Sequence, residues 1–595
     1  MDKIIDRLKQ RKLVQWAFAY VAAAFALIQV LDIVGQRFGW PEQVVRVLII
    51  TLAVGFFVTL VLAWYHGERG AQRVTATELI ILVLLLAAGG GVLVLFGRGP
   101  HKPAAVATAA DAARAPAKSI AVLPFTDLSP AHDQEYFSDG MAEEILNALA
   151  KVKTLKVAGR TSSFSFKGKN YDLRLIGKAL AVANVLEGSV RKQGNKVRIT
   201  AQLIQAEDGY HLWSESYDGE LSDVFELQER IARAIADQLK ALLHDDQQQR
   251  LVPIATNNPE AYALYLQATG IFNRREGPRL PEAIAELEHA LALDPRFARA
   301  HSRLAAIHLL QPIYVPDSAD KELSAAEHEA GLAIELDPTL AEPHSVLAMV
   351  YGQRGHYTDS LAAMDRALAI DPDDMTAGFW AGVAFVNTGY IKRGCARFDH
   401  VLSIDPLMPN ALLWRGIQYA YAGDLDRAEV LMRRAADVGL LHVGIGMHPI
   451  LAARGQRTEA AKQLANGLRA LGAGLAADAP DVLAAGVYGD AAAHARALAE
   501  IDAYMTTNPE RVAGVVPYSL LLLGENRRAL AVISRKASSN DALCFHLLWS
   551  PAGRSIRLMP EFAAFVKKSG LAELWDKYGA PDVCRRQSPG NYVCD

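Results

Sequence analysis

The spacing of apolar residues changes character twice along the chain. Up to Phe96 it is nearly continuous, in three runs: Val14–Val34, Val44–Tyr65 and Leu79–Phe96. Each is long enough to cross a hydrocarbon core of roughly 30 Å as a helix. From Lys118 the pattern is that of a small sheet with helices. Ser119–Phe125 predicts a buried strand, Met141–Val152 an amphipathic helix capped near Ser138 or Asp139, and Leu155–Ala158 a second strand. Asp172 caps a helix running through Ala181, and Val185–Val190 returns to the sheet. Gly194-Asn195 then turns the chain into a strand where Val197, Ile199, Ala201 and Leu203 alternate with Arg198, Thr200 and Gln202. Tyr210–Tyr217 and a helix from Asp223 to about Leu243 complete this unit.

Beyond Pro259 the period is helical, and it repeats. Leu291-Ala292-Leu293-Asp294-Pro295 returns as a similar phrase ending at Pro338, again at Pro372 and again at Pro406, the last two steps being 34 residues each. That period means stacked helical hairpins. Within one unit, Leu347, Ala348, Tyr351, Gly355, Tyr357, Met364, Ala367, Leu368 and Pro372 resemble the tetratricopeptide signature. Gly382, Phe385, Gly389, Phe398 and Pro406 continue it, as do Gly416, Tyr419, Gly423, Ala428, Met432 and Ala435. The resemblance implies a glycine turn after each first helix and a proline stop after each second one. The wider gap from Pro295 to Pro338 predicts an inserted loop at Gln311–Asp317. Past Leu440 the period fades; Gly455, Ala460, Gly524 and Ala529 suggest degenerate hairpins.

Four phrases in the sheet-forming part carry a second resemblance. Ile120-Ala121-Val122-Leu123-Pro124-Phe125, Tyr136-Phe137-Ser138-Asp139-Gly140, Leu186-Glu187-Gly188-Ser189-Val190 and Leu212-Trp213-Ser214-Glu215-Ser216-Tyr217 resemble the TolB-type, or FlgO-like, amino-terminal domain. That resemblance implies a small mixed α/β domain with an adaptor role and no chemistry of its own. It often stands before tetratricopeptide repeats, behind membrane helices or a DNA-binding or cyclase domain.

Composition and charge add little direction. A net charge of −3 gives no basic field for nucleic acid. There is no phosphate-binding G-x-x-x-x-G-K-[ST] loop and no H-E-x-x-H, so no cofactor or metal is expected. Ser138 with His132 and Asp133 nearby lacks a nucleophile elbow, and a helix cap explains it better. Cys584 and Cys594 lie close in an irregular tail and would pair in an oxidising compartment.

A repeat stack offers a surface instead. By position, Glu342, Ser345, Met349, Thr376, Phe379, Val383, Asn410, Leu413 and Ile417 lie on first helices and predict a concave partner-binding face, apolar in its middle. The same residues would alternatively pack against neighbouring repeats.

The expected fold class is therefore mainly α: transmembrane helices, a small mixed α/β domain and an α-solenoid of tetratricopeptide repeats. The expected division is 1–97 membrane anchor, 98–117 Ala/Pro-rich linker, 118–245 TolB-type domain, 257–441 repeats, 442–540 degenerate repeats and 541–595 closing segment. Lys3, Arg7, Lys9, Arg11 and Lys12 place the amino terminus in the cytoplasm. Three crossings of a bacterial inner membrane then put the soluble domains in the periplasm, whereas two would leave them in the cytoplasm. The expected function is a membrane-anchored, non-enzymatic scaffold that binds protein partners or peptide segments. The alternative is an envelope-sensing signalling component, coupled to a cytoplasmic partner through its membrane helices.

Overall fold

The computed structural model describes residues 115–169, 171–239, 251–274, 276–314, 319–471, 475–508, 514–534 and 542–595. The chain divides into two compact units, Met1–Ala113 and Arg114–Asp595, and all described residues belong to the second.

The second unit opens with a mixed sheet. Its strands are β1 (Ser119–Val122), β2 (Thr126–Asp127), β3 (Lys156–Val157), β4 (Asn184–Gln193), β5 (Lys196–Gln205) and β6 (His211–Glu220), in the order β3-β1-β4-β5-β6, with β2 beside β4. β1 is parallel to β3 and β4, whereas β4, β5 and β6 run antiparallel. Helices α1 (Glu135–Ala150) and α4 (Val224–Gln238) cover one face. There Leu186, Val197, Ile199, Ala201 and Leu203 are buried with Phe137, Met141 and Ile231. Helices α2 (Arg160–Phe164) and α3 (Leu173–Leu180) cover part of the other, over Ala121, Val185 and Ala206. The β4–β5 turn pairs Gln193 with Lys196, and Gly194 takes the positive φ of 60° that a two-residue hairpin needs.

Helix α1 starts earlier than its apolar pattern predicts. Its first turn is held from a distance, by Gln134 N–H donating to the Asp127 carboxylate at 2.8 Å. Ser138 is consequently inside the helix, donating to the Gln134 carbonyl, and caps nothing.

The rest is a tetratricopeptide-like helical solenoid. Its hairpins are α5/α6 (Pro259–Asn273, Leu280–Leu293), α7/α8 (Ala298–Tyr314, Ala319–Leu336) and α9/α10 (Ala341–Gln353, Tyr357–Ile370). Two more, α11/α12 (Met375–Asn387, Ile391–Ile404) and α13/α14 (Pro409–Tyr421, Leu425–Asp437), follow in register. Within this run, first helices touch first helices from α7 to α9 and from α9 to α11, and second helices touch the next first helix. Gly355, Gly389 and Gly423 close the first helices at φ between 79° and 90°. At each, the following N–H reaches back to Tyr351, Phe385 or Tyr419, a helix-ending geometry that β-carbons strain.

Less regular pairs follow: α15/α16 (Gly444–Ala453, Arg457–Leu471), α17/α18 (Ala479–Tyr488, Ala491–Thr507) and α19/α20 (Val515–Leu522, Asn526–Ile533). The chain then folds through α21 (Ala542–Leu548), α22 (Pro560–Lys568) and α23 (Leu571–Tyr578) into a hairpin of β7 (Cys584–Ser588) and β8 (Asn591–Cys594). Here Cys584 is disulfide-bonded to Cys594.

Two expectations change. The nine extra residues between Pro295 and Pro338 do not form a loop over Gln311–Tyr314; α7 continues through Pro312, and α8 is 18 residues long. The second correction concerns the membrane. Among the described residues no helix is long and apolar enough to cross one. The longest, α8, already carries Asp320 and Glu322 in its first turn and buries one stripe on its neighbours. The fold is therefore mainly helical with a small mixed-sheet domain and a repeat solenoid, and the expected transmembrane class and inner-membrane, periplasmic placement are withdrawn. The runs Val14–Val34, Val44–Tyr65 and Leu79–Phe96 lie outside the described residues.

Candidate partner-binding face

The nine residues expected to face a partner sit on α9, α11 and α13, but they do not line one open groove. Ser345 is fully buried and donates to the Glu342 carbonyl at 2.7 Å. Val383 is buried with Val386, Phe398 and Trp414, at the junction of α11, α12 and α13. Leu413 and Ile417 are buried with Ala428, Met432 and Ile450, where α13 meets α14 and α15. A stack whose units cannot bury their own stripes uses first-helix residues for unit-to-unit packing.

The other five keep part of their surface in solvent. Glu342 accepts from Ser302 Oγ at 2.7 Å and pairs with Arg303 at 3.0 Å, tying α9 to α7. Met349 is half-buried against the main core. Phe379 is half-buried, its ring tilted 6.1 Å from that of Phe398. Thr376 and Asn410 are half-buried in the first turns of α11 and α13. Asp374, whose carboxylate caps α11 through Ala377 N–H at 2.7 Å, sits beside this patch. Burial pushes its pKa up to about 6, and Asp371 and Glu342 add like charge.

Two other parts of the chain occupy neighbouring surface, and no periodic signal announced either. The first is the segment 542–595. His546 of α21 lies 5.2 Å from the Trp414 ring and stacks on Tyr421, whose hydroxyl meets its Nδ1 at 3.0 Å. Three successive carbonyls at the end of α11 accept from the same segment. Trp549 Nε1 donates to Asn387 O at 2.8 Å, Trp575 Nε1 to Thr388 O at 3.0 Å and Asp582 N to Gly389 O at 3.1 Å. These are the carbonyls a helix leaves without partners. The Asp582 carboxylate accepts Lys392 N–H at 2.7 Å, and the Tyr390 hydroxyl donates to Gly579 O at 2.7 Å.

The second is the sheet domain. Asp405, only 1% exposed at the end of α12, accepts Ser162 N–H at 2.7 Å, Thr161 N–H at 3.2 Å and the Ser162 hydroxyl. The same hydroxyl accepts Leu407 N–H at 2.7 Å, and Gly159 N–H donates to Ile404 O. Burial raises the Asp405 pKa, with the bonds from Ser162 and Thr161 working against that rise. At the other end of the contact, Glu144 of α1 makes a bidentate pair with Arg299 of α7, and Glu143 takes Arg160 and Asn273.

The polar side chains around Ser138 do not converge. Asp139 pairs with Lys167 at 2.5 Å, Ser138 points to a carbonyl of its own helix, and His132 Nδ1 meets Asp127 O at 3.3 Å. Among the described residues no three His, Cys, Asp or Glu side chains are grouped to hold a metal.

Residues 116–234, which carry the phrases of the TolB-type resemblance, match the family model of the second domain of HilA/YgeH-like transcriptional regulators. A protein of Rhizobium meliloti (strain 1021), provisionally named adenylate cyclase 3, is 39% identical over 218 residues, or 36% of this chain. The chain spans only 37% of the length of that curated relative. Three solved structures are similar. PilF of Pseudomonas aeruginosa is 18% identical, over 34% of this chain and 88% of its own, at a TM-score of 0.27. PilW, a type IV pilus biogenesis factor, is 22% identical over 36% and 95%, at 0.28. A tetratricopeptide repeat protein of Parabacteroides merdae is 15% identical over 45% and 99%, at 0.31. Such scores are too low to bear on function, and the solenoid is read from this chain's own helices and turns.

Proposed function

We propose that the chain is a non-enzymatic protein-interaction adaptor that receives a partner segment on the first helices of its solenoid. The observation that carries this reading is the register of the hairpins from α7 to α14, in which α7 lies beside α9, α9 beside α11, and each second helix meets the next first helix. The proposed contact face keeps the nine sequence positions as its frame. Glu342, Met349, Thr376, Phe379 and Asn410 offer surface, while Ser345, Val383, Leu413 and Ile417 hold the helices that present it. The acidic surroundings of Asp374 and Glu342 favour a partner segment with a basic residue next to its apolar anchor. In this reading 118–245 is an adaptor module of TolB type, 257–441 the repeats, 442–540 their degenerate continuation and 541–595 the closing segment.

The test is a paired substitution that leaves the core alone. Thr376→Arg with Asn410→Arg should release a partner captured by the intact chain, with at least ~10-fold weaker retention, about 1.4 kcal/mol. The melting temperature should stay the same. Undiminished binding of every partner would overturn the face.

A second reading is favoured by the Rhizobium meliloti relative: the shared 218 residues are a module used alongside a cyclase. Cyclic AMP formation from ATP and Mg2+ by the purified chain separates the two. Turnover above the blank would end the non-enzymatic reading.

A further inference from the structure

Besides the Trp549 and Trp575 bonds to α11, the segment 542–595 has two anchors, one on the solenoid and one within the segment itself. One is at the end of α11, where Asp582 bonds to Gly389 and Lys392 two residues before Cys584. The other is a knot around Arg557, which is 8% exposed. Its guanidinium donates to Asp595 O through Nε at 2.8 Å and Nη2 at 2.6 Å, to Ser550 O at 3.1 Å and to Leu548 O. Leu548 and Ser550 end α21, the helix that places His546 between Trp414 and Tyr421. Asp595 directly follows Cys594. The Cys584–Cys594 bond therefore joins the anchor on the repeat turn to the anchor on α21.

Without that bond the link is weak. β7 and β8 have five and four residues, and a lone two-stranded hairpin is marginal in water. Beyond the strand ladder itself, β8 is held by Tyr592, against the Trp575 ring at 5.0 Å and bonded to Asp576 at 2.8 Å, and at its two ends by Gly590 N–H on the Asp576 carboxylate and Asp595 N–H on Val583 O. If β8 leaves, Arg557 loses Asp595 O and keeps only the Leu548 and Ser550 carbonyls. A buried cation with fewer acceptors favours opening. Cys584 is half-exposed and Cys594 is 4% exposed, so Cys584 is the more open end of the bond.

We propose that the Cys584–Cys594 disulfide is a redox latch whose reduction by a dithiol releases α21 from α11 and α13. A thiolate of the reductant attacks the Cys584 sulfur, and the Cys594 sulfur leaves as a thiolate that takes up a proton. The second thiol of the reductant then displaces Cys584 from the mixed disulfide. Two electrons and two protons pass to the two cysteines, and the reductant departs as its own disulfide. Released, α21 uncovers Trp414 and Tyr421 on α13. The purpose of this opening rests on the adaptor reading, but the opening itself needs no partner.

Hydrogen exchange on the folded full chain, with and without dithiothreitol, tests the latch. Reduction should speed exchange in β8 by roughly 100-fold, the size expected for opening a ring of ten-residue separation. It should also speed exchange at Phe545–Leu548 and Asp582 by at least ~10-fold, leaving α9 and α10 unchanged. Reoxidation should restore protection. The double variant Cys584→Ser/Cys594→Ser should exchange like the reduced chain in either buffer; if it does not fold, the reversible wild-type comparison decides alone. Faster exchange confined to β7 and β8, with α21 and Asp582 as protected as before, would overturn the proposal. The result stands apart from the adaptor reading, because a chain that opens without binding anything would sink only the latter.

Discussion

The turns Asp371-Pro372 and Asp405-Pro406 are spelled alike and end equivalent helices, yet they hold different things. The Asp371 carboxylate is exposed and accepts the N–H two residues on, Asp373, at 3.0 Å. Asp337 does the same with Thr339, and Asp294 with Arg296. Asp405 does not. Ser162 has entered between it and Leu407: the serine hydroxyl accepts the Leu407 N–H and donates its own hydrogen bond to Asp405. One copy of a repeated helix stop has thus become the seat of another domain, with no change in its own letters. What differs is the neighbour, α2, some 240 residues away in sequence.

This contrast can be tested by treating the turns identically. Asp405→Ala leaves the buried Ser162 N–H, the half-buried Thr161 N–H and the Ser162 hydroxyl without their acceptor, and should cost about 3 kcal/mol by urea unfolding. Asp371→Ala removes one exposed turn bond and should cost about 0.5 kcal/mol. Equal costs would mean that the Ser162 contact adds nothing. The glycine turns offer a second pair. Gly389 is packed against Pro581 and Trp549, whereas Gly423 has open space around it, and both have φ above 80°. Gly389→Ala should cost about 2–3 kcal/mol and Gly423→Ala about 1, since only the first adds a clash to the backbone strain. Melting temperatures that fall equally would argue that the 542–595 segment does not bear on the α11 turn.

The smallest expected effect is a pH dependence. Asp405 has its folded pKa raised above the unfolded value of 3.8, so the fold binds more protons in the window above 3.8. Its stabilising contribution is full below 3.8 and is lost as pH rises through the folded value. Compared with Asp405→Asn, the wild-type chain should therefore gain stability as pH is lowered from 7 toward 4. A slope of the opposite sign at Asp405 would show that its hydrogen bonds outweigh its burial.

What was legible in the residues was local. A glycine that must be left-handed, a proline that must end a helix and a small residue under an aromatic ring act within one hairpin. Gly355, Gly389, Gly423 and the ring of Phe398 over Gly382 fall where the pattern implied. Contacts between distant segments left no such trace. Val383, Leu413 and Ile417 have the same apolar character whether they face a partner or the next hairpin, so composition cannot separate the two. His546, Trp549 and Trp575 find α11 and α13 only after the chain has folded back, and their surroundings carry no period. Ser138 misled for a related reason: its place as a cap was pre-empted by Asp127, seven residues ahead of Gln134.

The bidentate pair of Glu144 with Arg299 limits how this molecule can be divided. Both groups are largely shielded from water, one in the sheet domain and the other in the second hairpin. A cassette cut to begin at Pro259 would carry an orphan guanidinium beside Tyr265, and one ending before the repeats an orphan carboxylate on α1. Grafts of the hairpins onto another scaffold should therefore include α1, or replace Arg299 with an uncharged side chain of similar bulk.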